Sequence, residues 1–355
     1  MEDTLLYKEL TIKSLYGRYN VEFDNGKINF FNKDSVIFID HNIYNIYKKS
    51  FINKKKIYIV KANEKEKSFE NIIKPLNFFI KNNIKKNDKI ICIGGGITQD
   101  ICSFVCSIYF RGLEWYFYPT TLLAQTDSCI GSKNSINFKN SKNSIGNFYP
   151  PKKIIVNFNF LKTLQEDEIR SGLGEILKCA IINGKNEFIE KKDEYFDLIK
   201  NKKKLKKFII QALYIKKKII QKDEFDKNIR RILNYGHTFG HALESDSKFR
   251  IPHGIAITIG MDIANFISYK KNFLSKKDYY IFKKILRENY KKYIFYRPNI
   301  KNILRFISND KKNTKKNYGN FIIFSGSKLK IINIKLNNQF ENILIEFFKS
   351  FSLQD

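Results

Sequence analysis

The pattern of apolar residues changes once along this chain, near residue 163, and the change separates two textures. Ahead of it, short runs rich in β-branched and aromatic residues alternate with stretches of helical period. Val36–Asp40 and Ile57–Val60 read as strands, as do 90–93, 114–118 and 154–158. Phe69, Ile72, Ile73, Leu76, Phe79 and Ile80 recur with a helical period and predict a helix over 68–84 despite Pro75. Strand 90–93 runs straight into Gly94-Gly95-Gly96-Ile97-Thr98-Gln99-Asp100, and an apolar helix follows to about residue 110. Strands alternating with helices predict a Rossmann-like, mostly parallel sheet with helices on its faces. Beyond 163, helical periods dominate at 165–182, 203–221, 230–245 and 254–270, and short strands return only at 321–324 and 329–334. The expectation is an α/β domain over 1–162 followed by a mainly α-helical domain over 163–355.

Composition adjusts this picture in two ways. The formal charge is +30, from 65 basic and 35 acidic residues. Taken alone, that balance suggests a nucleic-acid binder. The excess is mostly lysine, however, and it is spread along the chain beside many Asn, Ile, Phe and Tyr. Runs such as Lys54-Lys55-Lys56 read as solvated faces, so no nucleic-acid partner is expected, while the positive field still favours a small polyanionic substrate. Five cysteines (Cys92, Cys102, Cys106, Cys129, Cys179) show no C-x-x-C spacing, which fits a reduced, cytoplasmic protein. No stretch is long and apolar enough for a membrane span, and Met1-Glu2-Asp3-Thr4 lacks a secretory layout.

The candidate chemistry sits in three places. Of four histidines, three (His237, His241, His253) fall within 237–253. His237 and His241 share one face of a helix, and His253, after Pro252, is expected at a turn or a helix start. A single histidine is more often structural, but three in a histidine-poor chain point to a site. Two imidazoles with one carboxylate would make a catalytic metal site with open positions. Glu175 and Lys178, three apart in an apolar helix, supply a carboxylate and an ammonium expected to be buried or to line a pocket. The glycine turn at 94–96 suits a phosphate cradle, although it is not G-x-G-x-x-G. The polar run from Asp127 to Asn137, with Lys142-Asn143, reads as a functional loop.

Together with Tyr109-Phe110-Arg111-Gly112, Pro119-Thr120-Thr121-Leu122-Leu123 and Phe160-Leu161-Lys162-Thr163, these motifs resemble the sugar-phosphate cyclases, most specifically the 3-dehydroquinate synthase family, over about 36–320. The resemblance implies a homodimer using NAD and a divalent metal, zinc first and cobalt as an alternative. By residue-wise likeness, Glu175, His237 and His253 resemble the metal ligands. Asp40, Glu64, Lys67, Gly95, Gly96, Asp100, Thr120, Thr121, Lys142, Phe160 and Thr163 resemble the NAD contacts. Asp127, Lys133, Asn143, Lys178, Lys216, Arg230, Asn234, His241 and Lys311 resemble the substrate pocket, and Arg111 the arginine that reaches into the neighbouring subunit's site. The first domain would then hold NAD and the second the metal and substrate. The implied reaction turns 3-deoxy-D-arabino-heptulosonate 7-phosphate into 3-dehydroquinate and phosphate by transient oxidation, elimination, reduction and aldol closure. His241 is expected to position the substrate and relay protons.

Five positions depart from the family pattern: Gln99 and Ser132 stand where glycine is usual, Asn134-Ser135 where Thr-Gly is usual, and Asn63 where a glycine usually precedes the acid at Glu64. They touch NAD and phosphate loops and leave open a sister cyclase acting on sedoheptulose 7-phosphate or glucose 6-phosphate. A metal-dependent polyol dehydrogenase is a further alternative.

Overall fold

The central strands form where the sequence is apolar without interruption. The computed structural model describes residues 9–26, 35–139, 141–201, 204–309 and 317–351. Its strands, in order, are β1 (Glu9–Ser14), β2 (Gly17–Asp24), β3 (Val36–Asp40), β4 (Ile57–Val60), β5 (Ile90–Gly94), β6 (Trp115–Pro119), β7 (Ile136–Phe138), β8 (Ser141–Ile145) and β9 (Lys153–Asn157). Seven of them form one sheet in the order β1-β2-β9-β6-β5-β3-β4. Every pair in it is parallel except β1 with β2. All five residues of β3 and all five of β5 are buried, as expected of parallel strands covered on both faces. One covered face packs Ile37, Ile39, Ile91, Ile93 and Ile155 against Phe51, Tyr118 and Phe160.

Between the strands lie helices α1 (His41–Ile46), α2 (Ile73–Lys81) and α3 (Gly96–Ile108). The helix expected over 68–84 is a 3-10 turn at Phe69–Ile72 running into α2. Pro75 is accommodated because it falls in the first turn of α2, where a backbone N–H has no intrahelical partner to lose.

The helical part comprises α4 (Glu166–Asn183), α5 (Lys185–Glu190), α6 (Lys192–Asn201), α7 (Leu205–Ile220), α8 (His237–Asp246), α9 (His253–Lys270), α10 (Lys276–Tyr290), α11 (Ile300–Ser308) and α12 (Asn338–Phe351). A hairpin of β10 (Tyr318–Ser325) and β11 (Lys328–Lys335) accompanies it. Helix α9 is buried on every side from Gly254 to Ser268, and α4, α8 and α10 pack around it. The continuous helix expected over 230–245 is interrupted. Ile229–Asn234 is a 3-10 turn, Gly236 is left-handed at φ 79°, and α8 starts at His237. Apolar periodicity survives that break, which is why the pattern alone did not reveal it.

The chain separates into two compact units, Met1–Leu164 with Lys216–Asp226, and Gln165–Ile215 with Lys227–Asp355. The short segment Lys216–Asp226 thus belongs with the sheet, not with the helices that flank it in sequence.

Candidate active site

In the helical unit, glycines decide which side chains meet. A Cβ on Gly254 would lie 1.8 Å from the Ser171 carbonyl oxygen, and one on Gly174 would lie 2.2 Å from the Gly254 carbonyl oxygen. Helices α4 and α9 therefore touch backbone to backbone, and the Ser171 hydroxyl accepts from the Gly254 N–H at 2.9 Å. Glu175 follows one of these glycines and His253 precedes the other, so close contact of the helices joins the two side chains. Glu175 Oε1 lies 3.9 Å from His253 Nε2. The same device seats α8 on α9: a Cβ on Gly240 would meet Ile257 at 2.5 Å, and one on Gly260 the Gly236 carbonyl at 2.1 Å. The three imidazoles converge as a result, with ligand atoms of His237, His241 and His253 all within 4.8 Å of one another.

Each of two rings has its Nδ1 engaged. His237 Nδ1 meets the Tyr235 carbonyl at 3.2 Å, and His253 Nδ1 meets Glu244 Oε2 at 3.2 Å. With Nδ1–H donating, the ring's lone pair is on Nε2, the arrangement a metal-bound imidazole needs. Burial by itself lowers the His253 pKa, but the hydrogen bond and charge of Glu244, with the charge of Glu175, outweigh it and raise the net value. The local field thus favours positive charge. Glu175 is 1% exposed; its Oε2 is ion-paired with Lys178 yet lies outside hydrogen-bond geometry. Lys178 thus occupies Oε2, and Oε1 is the oxygen on the side of His253. A divalent cation is the partner this donor set suits: three imidazoles with ligand atoms within 4.8 Å of one another, and one carboxylate oxygen 3.9 Å from the Nε2 of His253. Sequence reasoning did not find Glu244 or the Tyr235 carbonyl. The signal for Glu244 was there, since an acid three after His241 on α8 lies near the same face.

Arg230 is buried in the 3-10 turn before α8, and Asn234, at its end, donates to the Arg231 carbonyl at 3.1 Å. His241 is exposed. Lys311 lies outside the described residues.

In the sheet unit, β3, β5 and β6 are parallel neighbours, so Asp40, Gly94 and Pro119-Thr120 end at one edge. Open parallel sheets bind nucleotides at this carboxyl edge. Asp40 caps α1, accepting from Asn42 and Ile43 at 2.8 and 3.2 Å. Helix α3 starts at Gly96 with no side chain capping its N-terminal N–H groups. Bulk is not tolerated there, since a Cβ on Gly95 would come 2.9 Å from Thr121 Cγ2 and one on Gly94 would come 2.6 Å from Thr98 Cβ. Thr98 is fully buried, and its hydroxyl has no hydrogen-bond partner among the described residues. Uncapped N–H groups, an orphan hydroxyl and absent side chains fit a dinucleotide's phosphates.

Around this turn, Lys67 Nζ pairs with Asp100 Oδ2 at 2.5 Å and donates to Asn143 Oδ1 at 2.7 Å. Burial raises the Asp100 carboxyl against the opposing charge of Lys67. Glu64 accepts from Asn137 at 2.8 Å and lies 3.7 Å from Lys142. Thr120 is buried, Thr121 accepts from the Ala124 N–H at 3.2 Å, Phe160 is in the core, and Thr163 donates to the Phe160 carbonyl at 3.0 Å. The loop residues are also tied down. Asp127 pairs with Lys216 at 3.0 Å, and Lys133 with Asp226 at 2.6 Å. The departing residues contribute polar contacts of their own. Ser132, left-handed at φ 66°, donates to Glu224 at 3.3 Å; Asn134 donates to Ser103 at 2.9 Å; and Ser135 donates to Asn143 at 2.9 Å.

Comparison with known proteins converges on one family. The 3-dehydroquinate synthase N-terminal and C-terminal family models match residues 57–171 and 172–313. The chain belongs to the 3-dehydroquinate synthase family. It is 35% identical over 316 residues to the 3-dehydroquinate synthase of Clostridium tetani, covering 87% of this chain and 84% of that one. It is 39% identical over 247 residues to that of Dictyoglomus thermophilum, covering 68% of each. A crystal structure of 2-deoxy-scyllo-inosose synthase, complexed with carbaglucose-6-phosphate, NAD+ and Co2+, superposes with a TM-score of 0.82 at 21% identity, over 96% of this chain and 99% of that one. That likeness bears out the fold: a mostly parallel sheet followed by a helical part.

Proposed function

We propose that the protein is a carbon–oxygen lyase, a 3-dehydroquinate synthase that converts 3-deoxy-D-arabino-heptulosonate 7-phosphate to 3-dehydroquinate and phosphate. The observation that carries this reading is the cluster of Glu175, His237, His241 and His253, built by glycine contacts inside a chain of this family. Glu175, His237 and His253 hold the metal, zinc or cobalt, and the edge at Gly95, Gly96, Thr120 and Asp40 holds NAD. When bound, the metal supplies Lewis acidity toward a substrate hydroxyl, and NAD supplies a hydride acceptor that is regenerated within the turnover.

The chain's own residues do the rest. A substrate with a phosphate and a carboxylate needs several cations, and Lys133, Lys178, Lys216 and Arg230 supply them. Lys133 and Lys216 are held by Asp226 and Asp127, so both ammonium groups are already oriented. Lys178, 2% exposed beside Glu175, presents a desolvated positive charge. His241 is the exposed imidazole of the three and exchanges protons at its ring. A homodimer in the cytoplasm completes the proposal; the five cysteines are free and buried, consistent with a reducing compartment.

The test is phosphate release from purified protein with NAD and zinc, supplied in turn with the heptulosonate phosphate, sedoheptulose 7-phosphate and glucose 6-phosphate. Release from the first without net accumulation of NADH supports the proposal. Release from either of the other two alone makes the protein a sister cyclase, and steady NADH production makes it a dehydrogenase.

A further inference from the structure

Gln99, in the first turn of α3 and only 5% exposed, commits both ends of its amide to one residue. Its Nε2 donates to the Ser128 carbonyl at 2.8 Å, and its Oε1 accepts from the Ser128 hydroxyl at 2.6 Å. Ser128 ends the π turn Ala124–Ser128. Its predecessor Asp127 receives Lys216 twice, at the carboxylate (3.0 Å) and at the backbone carbonyl (2.5 Å). Ser128 also overlies the glycine turn, because its Oγ is what a Cβ on Gly96 would meet, at 3.8 Å. One buried amide therefore joins the start of α3, the residue above it and the acid that holds Lys216. A single bond would leave Ser128 free to pivot. Two bonds, one to its backbone and one to its side chain, fix its orientation.

We propose that Gln99 is a positioning residue: it holds Ser128 over the N-terminus of α3, so that the dinucleotide phosphates meet an ordered cradle, and by the same clasp keeps Asp127 turned toward Lys216. The inference rests on reading that cradle as the NAD site. Ordering the cradle in the free protein removes a cost that binding would otherwise bear.

The experiment is calorimetric titration of the zinc-loaded, full-length chain with NAD. Gln99→Met keeps the volume and removes both hydrogen bonds; it should weaken NAD binding about tenfold. Ser128→Ala removes one of the two bonds and should weaken it about threefold, with Ser128→Thr restoring the parental value. The double variant Gln99→Met/Ser128→Ala should bind no more weakly than Gln99→Met alone, since both act through one clasp. A Gln99→Met affinity within about twofold of the parent, or losses that multiply in the double variant, overturns the proposal. Should Gln99→Met fail to melt cooperatively, the serine variants decide alone: equal affinity in Ser128→Ala, Ser128→Thr and the parent overturns it. A parent chain that binds no NAD overturns the cofactor reading itself, an outcome distinct from a parent that binds normally and variants that match it.

Discussion

At the residue scale, Glu175 and His253 belong to one cluster but have different structural weight. Glu175 and Lys178 are 1% and 2% exposed and paired, whereas the His253 side chain is 33% exposed. Glu175→Gln should abolish metal binding and also leave the Lys178 ammonium buried without its counter-charge, destabilising the chelator-treated protein by about 3–5 kcal/mol. His253→Ala should abolish metal binding too, yet cost only about 1 kcal/mol, the loss of its contact with Glu244. Zinc content by atomic emission and urea unfolding of chelated samples check both; equal destabilisation by the two variants would count against a buried structural pair. The histidines and Glu175 were legible because residue type and spacing declare their chemistry. The carbonyl of Tyr235 that engages His237 was not, since a backbone carbonyl has no sequence signature, and Glu244 was marked only by its helical spacing from His241. Ser132 shows the converse: its left-handed backbone is one that glycine adopts most readily, while its hydroxyl makes a contact that glycine cannot.

At the scale of elements, the strands β3 to β6 and the helices α4, α7 and α9 follow from apolar period, and their ends agree with it closely. Strands β1 and β2 escaped notice although Leu10, Ile12, Tyr19 and Val21 alternate into the core, because the intervening residues are charged or polar and the runs are short. What period cannot report is how close two helices come. Gly174, Gly240, Gly254 and Gly260 read as helix-weakening residues in isolation, yet they are the reason that three helices bring their ligands together. Gly254→Ala should therefore act on the site without touching a ligand. Its Cβ would sit 1.8 Å from the Ser171 carbonyl, so α9 must move off α4 and separate His253 from Glu175. We expect a loss of about 3 kcal/mol in stability and a sharp fall in zinc affinity. Gly184→Ala is the control: its added Cβ would meet only Glu187 at 3.9 Å, and it should change stability by less than about 0.5 kcal/mol. Zinc affinity by competition with a chromophoric chelator separates the two, and parental affinity in Gly254→Ala would refute the helix-contact account.

At the scale of the whole molecule, the return of Lys216–Asp226 to the sheet unit was hidden because α7 runs through residue 215 without a break in period. Only contacts such as Lys216 with Asp127 and Asp226 with Lys133 reveal it. The turn at Tyr109–Arg111 raises the remaining question, that of assembly. Phe110 and Arg111 are left-handed at φ 48° and 60°, and Gly112 follows at φ 118°. Two consecutive non-glycine residues in that region are strained and persist only when the surroundings hold them. Lys86 does so, its Nζ donating to the Phe110 carbonyl at 2.9 Å and to that of Gly112. Within the chain the turn packs the Phe110 ring edge-on against Tyr109 at 4.5 Å, but Phe110 stays 50% exposed and Arg111 is exposed as well. The strain is explained if the turn exists to present Arg111 outward, to a second copy of the chain. Arg111→Ala should then lower kcat by about a hundredfold or more while leaving NAD and zinc binding unchanged in each subunit, the loss of a charge-assisted contact in the transition state. Co-expression with a differently tagged His253→Ala chain is decisive. In a mixed dimer the Arg111→Ala subunit keeps an intact metal site and receives Arg111 from its partner, so activity should return to about half that of the parent dimer. Mixed dimers as inactive as the Arg111→Ala homodimer would place the arginine's role within its own subunit.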